Sequence, residues 1–278
     1  MSASPAGGHD RRTRPRGVGG GVPSAGAARC GAPPVTAPAK AVLVTGGAVR
    51  LGRAIVAEFA RAGWRPAFTY RSSAAPAAAF AAQLRAGGTP ALAIAADLDD
   101  QRARVLVAER VQEEFGGLDA LVNSAGVFPR TPFADLTPTL LADALRTNLE
   151  APLFLTQACA PALRARRGAV VNIADVYGMF PLRHHLAYSV SKAALIAATR
   201  ALAVEMAPEV RVNAVAPGIA VFPEGYDAAA RERLLGRTLL HREGGAAEIA
   251  RTVRFLVEGV DTVTGQVVTV DGGRSVAL

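Results

Sequence analysis

The chain has 278 residues, half of them apolar, which is ample for one α/β or all-β domain and short for two enzyme domains. Two cysteines, Cys30 and Cys159, and four histidines, His9, His184, His185 and His241, exclude a disulfide framework, a multi-cysteine cluster and any HExxH-type zinc site, so no metal is expected. The formal charge of +8 is concentrated at the start, where residues 1–40 hold Arg11, Arg12, Arg14, Arg16, Arg29 and Lys40 against Asp10 alone, so it does not indicate a specific nucleic-acid partner.

Residues 1–38 are Gly, Ala, Pro, Arg and Ser without apolar periodicity, and are expected to form a disordered tail. A mitochondrial presequence is the competing reading, opposed by the glycines and prolines that break an amphipathic helix. Nothing approaches the roughly 20 apolar residues of a membrane span, so a cytoplasmic protein without a membrane partner is expected.

From residue 39 to 278, short apolar runs alternate with longer Ala-rich segments. That pattern predicts an α/β domain: one doubly wound parallel sheet of Rossmann type, seven strands flanked by helices. The strands are expected at 41–45, 66–70, 91–95, 119–123, 169–174, 210–215 and 266–270. Helices are expected at 51–62, 74–86, 100–115, 138–165, 187–206 and 246–257, the fourth broken at Pro152 or split in two.

The first strand runs into Thr45-Gly46-Gly47-Ala48-Val49-Arg50-Leu51-Gly52 and then a helix, the setting in which backbone N–H groups hold a pyrophosphate. Gly46, Arg50, Leu51 and Gly52 are the candidates there. The second strand ends in Tyr70-Arg71-Ser72 with no acid, which suits a ribose 2′-phosphate and favours NADPH over NADH. Asp97 and Leu98 after the third strand are expected beside the adenine. Asn123, Ala125 and Gly126, in the Asn123-Ser124-Ala125-Gly126 run after the fourth, are expected to line the cofactor cleft, and Pro217, Gly218 and Ile219 follow the sixth.

Tyr188 and Lys192 are four residues apart in a helical segment, so both leave one face. An ammonium beside the phenol is expected to lower its pKa and make Tyr188 a usable general acid. Lys192, the one lysine after residue 40 in a sequence otherwise rich in arginine, can also reach a ribose diol.

These features, with Asn148, Ala216-Pro217-Gly218-Ile219 and the terminal Val270-Asp271-Gly272-Gly273, resemble the short-chain dehydrogenase/reductase family over residues 40–278. The resemblance implies strand order 3-2-1-4-5-6-7, hydride transfer, an NADP(H) site and a homotetramer. Two departures narrow it. Arg50 stands where the TGxxxGxG turn has its middle glycine, and Asp175 stands thirteen residues before Tyr188, where most of the family has a serine.

A carboxylate aimed at a ketone oxygen opposes the charge developing there, whereas a ring bearing N–H donors fits it. With Phe128, these departures resemble the pteridine reductase branch. That resemblance implies a pterin substrate bound by Arg50, Phe128, Asp175 and Tyr188, Phe128 stacking on the ring. Catalysis is assigned to Asp175, Tyr188, Lys192 and Asn148, with the proton arriving through Tyr188 or a water near Arg50. Asn148 is expected to order a water that refills the proton chain. The segment 219–240, with Phe222, Pro223, Tyr226 and Leu234, is expected to cover the substrate, and Tyr177 either lines the pocket or packs. The alternatives are a carbonyl-reducing enzyme of the same family and an NADP-binding sensor without turnover.

Overall fold

Alternation of side chains along buried strands sorts the core into two layers, one on each face of a single sheet. A computed structural model describes residues 39–220 and 227–277. The expected tail of 1–38 and the lid residues Phe222, Pro223 and Tyr226 lie outside the described residues.

The strands are β1 (Ala41–Val44), β2 (Arg65–Tyr70), β3 (Leu92–Ala95), β4 (Ala120–Asn123), β5 (Ala169–Ile173), β6 (Arg211–Pro217) and β7 (Val267–Val270). All pair in parallel in the order β3-β2-β1-β4-β5-β6-β7, so each is reached through a crossover. The order reverses between β1 and β4, and that reversal opens a crevice at the strands' carboxyl ends.

The helices are α1 (Arg50–Arg61), α2 (Ala74–Ala86), α3 (Gln101–Phe115), α4 (Pro138–Leu145), α5 (Ala151–Arg166), α6 (Leu186–Met206), α7 (Ala228–Leu235) and α8 (Gly245–Glu258). On one face Val42, Val44, Phe68, Val122 and Val171 pack with Ile55 and Phe59 of α1 and Ile249 and Val253 of α8. On the other, Leu43, Leu121, Val170 and Val212 pack with Val107 and Val111 of α3, Leu155 and Leu163 of α5 and Met206 of α6.

The expected helix at 138–165 is two helices joined by a π segment, Arg146–Glu150. Pro152 causes no break. It sits in the first turn of α5, where a missing N–H is tolerated. The widened turn before it carries Asn148. The expected covering segment supplies one described helix, α7, which contains Leu234.

Candidate active site

The crevice holds a cavity of about 420 Å³ that runs from the β1 turn across β2 and β4 to the ends of β5 and β6. Its near wall is the turn into α1. Gly46 has φ +65°, and a side chain at Gly52 would put its Cβ 2.2 Å from the Gly46 carbonyl oxygen. Only a bare backbone fits this cradle at the start of α1, which suits a pyrophosphate.

Two threonines brace the turn from behind. Thr69 Oγ1 accepts from the Gly46 amide at 3.2 Å, and Thr45 Oγ1 accepts from the Ser124 and Ala125 amides at 2.8 and 2.9 Å. Thr45 opens the glycine turn in sequence, whereas Thr69, inside a strand, carries no motif that marks it. Arg50 is exposed at the mouth with φ 50°, a left-handed conformation costing a non-glycine residue about 1–2 kcal/mol. Here a guanidinium replaces the residue the backbone prefers, and such strain collects at functional sites.

Leu51 lines the cavity beside Arg50. Tyr70, Arg71 and Ser72 line its far end, opposite Asp97 and Leu98. Arg71 Nη1 lies 3.7 Å from carboxylate oxygens of both Asp97 and Asp99. Such exposed pairs contribute about 0–1 kcal/mol, which leaves the guanidinium able to turn to a phosphate. Asp99 also accepts from the Thr147 hydroxyl and lines the cavity, a contact the sequence did not indicate.

Ala125, Gly126, Pro217 and Gly218 line the cavity's middle, but Asn123 and Ile219 do not. Asn123, expected at the cofactor, is turned into the sheet. Its Nδ2 donates to Asn172 Oδ1 and Thr156 Oγ1, and Asn172 continues the ladder to Thr199. Asn148, expected to order a water, is fully buried, and its side chain binds protein. Its Oδ1 accepts from the Val127 amide, and its Nδ2 donates to the Val127 carbonyl and Ser191 Oγ, fixing the loop that carries Phe128.

Asp175, Tyr188 and Lys192 meet at the inner end. Asp175 caps the turn Val176–Gly178 after β5 by accepting from the Tyr177 amide, which leaves Oδ2 to accept from the Tyr188 hydroxyl at 2.7 Å. Lys192, one turn further along α6, donates to the Ile173 carbonyl at 2.7 Å, with Nζ 5.9 Å from the Tyr188 ring centre.

Burial pushes Asp175 above the ordinary carboxylate value, opposed by its hydrogen bonds and by the charges of Lys192 and Arg274. Burial also depresses Lys192 to about 8. Tyr188 is driven well above 10, first by burial and then by the charge and hydrogen bond of Asp175. The sequence expectation of a lowered tyrosine pKa is corrected. The carboxylate contacts the phenol directly, whereas the ammonium is turned to a backbone carbonyl.

Phe128 is half exposed at the rim. Its ring stacks on His185 at 4.3 Å and 14° and meets Tyr188 edge-on at 4.5 Å. His185 Nδ1 lies 3.0 Å from the Pro129 carbonyl. One face of the ring expected against a substrate is therefore taken by a histidine. Tyr177 packs under the turn and accepts from Arg274 Nη2 at 3.1 Å. Among the described residues no group of three His, Cys, Asp or Glu is placed to hold a metal, and no helix is long and apolar enough to cross a membrane.

Residues 47–275 match the family described as Enoyl-(Acyl carrier protein) reductase. The chain is 33% identical over 239 residues to a 3-oxoacyl-[acyl-carrier-protein] reductase, FabG, of Staphylococcus aureus, covering 84% of this chain and 97% of that one. Its fold is similar to a short-chain dehydrogenase/reductase from Burkholderia xenovorans, with TM-score 0.80 and 29% identity over 87% of this chain and 100% of the other. It is also similar to FolM alternative dihydrofolate reductase 1 from Brucella canis, solved with NADP, with TM-score 0.81 and 33% identity over 86% and 95%. The parallel sheet with its reversal at β1/β4, the glycine cradle and the Tyr188–Lys192 helix agree with those likenesses, and the chain belongs to the short-chain dehydrogenase/reductase family.

Proposed function

We propose that the protein is an NADPH-dependent reductase of a pterin-ring C=N bond, converting a dihydropterin to a tetrahydropterin. The observation that carries this reading is the Asp175 carboxylate at the inner end of the cavity, 2.7 Å from the Tyr188 hydroxyl. The likeness to FolM proteins, two of them solved with NADP, supports it.

NADPH supplies the hydride. Gly46, Gly52 and the α1 amides would hold its pyrophosphate, Arg71 and Ser72 its 2′-phosphate, and Lys192 its ribose. Asp175 accepts N–H bonds from the ring, which a ketone cannot offer. Tyr188 retains its proton until the adjacent nitrogen gains electron density and then donates it, while the Lys192 ammonium offsets the charge left on the phenolate. Phe128, backed by His185, presents its open face to the ring, and Arg50 stands at the mouth as an electrostatic anchor. Asn148 acts by holding the Phe128 loop.

Ketone reduction is the second reading, favoured by the likeness to FabG over nearly all of that protein's length. NADPH oxidation by the purified protein, with a dihydropterin beside an acetoacetyl thioester and NADH as control, separates the two. Turnover of the pterin alone, dependent on NADPH, is expected. Asp175→Ser should abolish pterin turnover and leave or raise ketone turnover; a wild-type preference for the thioester sinks the proposal. A homotetramer is part of this reading, supported by Phe154, Val190, Val204 and Phe255 exposed on α5, α6 and α8.

A further inference from the structure

The turn that aims Asp175 is supported from below by a buried cation that the chemistry above does not use. Arg274 lies in a short 3-10 turn after β7 and is 3% exposed. Its Nη2 donates to the Tyr177 hydroxyl and its guanidinium lies 5.7 Å from the Tyr177 ring centre, while Nε and Nη1 are buried without a hydrogen-bond partner among the described residues. Asp271, the nearest acid in sequence, is committed elsewhere: its oxygens accept from the Gly273 and Ser275 amides and shape the turn that presents Arg274.

A buried guanidinium satisfied at one nitrogen is costly unless an opposite charge faces it. Asp175 is the carboxylate whose ionised form Arg274 favours. Tyr177, two residues beyond Asp175, ties the two together, because its amide binds Asp175 Oδ1 and its hydroxyl binds Arg274.

We propose that Arg274 is a positioning residue for the Asp175–Tyr188 pair: through Tyr177 it holds the turn that aims Asp175, and its charge faces the carboxylate, so that the site selects substrates presenting N–H donors. The inference rests on the reading of Asp175 as the acceptor of the substrate's N–H groups. The other groups facing Asp175 are Tyr188 and Lys192 from α6 and Tyr177 from its own turn. Removing Arg274 leaves Lys192, whose ammonium is turned to the Ile173 carbonyl, as the remaining cation acting on the carboxylate.

The test compares Arg274→Gln, Arg274→Lys and Tyr177→Phe in the full chain with two readouts. One is the NMR titration of 13C-labelled aspartate, in which Asp175 is the signal lost in Asp175→Asn. The other is the pH profile of kcat/KM with a dihydropterin. In Arg274→Gln the Asp175 titration moves to higher pH, the direction in which loss of an opposite charge acts. The acid limb of the profile follows, and NADPH affinity stays within about twofold, because Arg274 does not line the cavity. Arg274→Lys restores most of the titration. Tyr177→Phe keeps it but raises the pterin KM several-fold.

An unmoved titration in Arg274→Gln overturns the inference. If Arg274→Gln does not fold, Arg274→Lys and Tyr177→Phe decide, and a displaced titration in Tyr177→Phe overturns it. Loss of dihydropterin turnover in the wild type, with the titration still responding to Arg274→Gln, overturns the substrate reading and leaves the role of Arg274 standing.

Discussion

Lys192 is the residue whose environment makes the sharpest statement about pH. Its amine is fully buried, and desolvation lowers it from 10.5 to about 8 against the opposing pull of Asp175. Below about pH 8 the folded protein carries a charge it would rather shed. Between about 8 and 10.5 the unfolded chain binds more protons than the folded one at this site, so the lysine's contribution to stability rises with pH. Cofactor affinity should run the other way, falling as pH rises through about 8, where the folded protein loses the ammonium that would hold the ribose. Melting curves and NADPH titrations from pH 7 to 10, wild type against Lys192→Met, check both slopes. Parallel curves for the two proteins would show that Lys192 is not the group responsible. Asp175 acts on the acid side: if its anion accepts the substrate's N–H groups, as proposed, activity is expected to fall as pH drops through its raised value.

At the scale of elements, the β1–α1 turn and the π segment each place backbone where a regular element could not. The Gly52 cradle is closed by its own turn, so Gly52→Ala forces the Gly46 carbonyl aside. Loss of NADPH affinity by at least about tenfold is expected, with stability reduced by about 1–3 kcal/mol, in the range of overpacking. Isothermal titration and denaturant melts measure the two separately. Unchanged binding would mean that the cradle does not contact the cofactor. The π segment works differently. Its widened turn directs Asn148 at both backbone groups of Val127, so one side chain ties the π segment, the Phe128 loop and Ser191 of α6 together. A π bulge at such a junction is a recurrent feature of functional sites.

For the whole molecule, the sheet divides labour between its faces. The α1/α8 face carries large aromatic packing, with Phe59 edge-on to Trp64 at 5.0 Å and Trp64 Nε1 donating to Glu258. Arg254 links Glu58 of α1 to Glu258 of α8 over the same seam. Phe59 is fully buried, and Phe59→Ala should cost about 3–5 kcal/mol by opening a cavity beneath the first βα unit. Urea unfolding measures it; a loss below about 1 kcal/mol would show that α1 and α8 close over the gap. On the opposite face Cys159 is buried with its thiol pushed up to about 12, which keeps it protonated and unreactive in the folded protein.

The seven strands, most of the helix positions and many cavity-lining residues, from Gly46 to Lys192 but not Thr69, Asp99 or Thr147, were legible in the sequence. Each rests on local chemistry: apolar runs of strand length, a glycine turn that tolerates no side chain, and a four-residue spacing on one helix face. Strand order came from resemblance rather than periodicity, because side-chain alternation does not say which strand lies beside which. The electrostatics of the site emerged with packing. Tyr188 is raised rather than lowered first because the fold buries it, and then because Asp175, thirteen residues away, reaches its hydroxyl while Lys192 turns to a carbonyl. Only the fold turned Asn123 into the sheet, put His185 behind Phe128, and brought Arg274 from the far end of the chain against Tyr177. Those contacts join residues with no local signal in common, and their energies depend on burial, which exists only after the layers have packed.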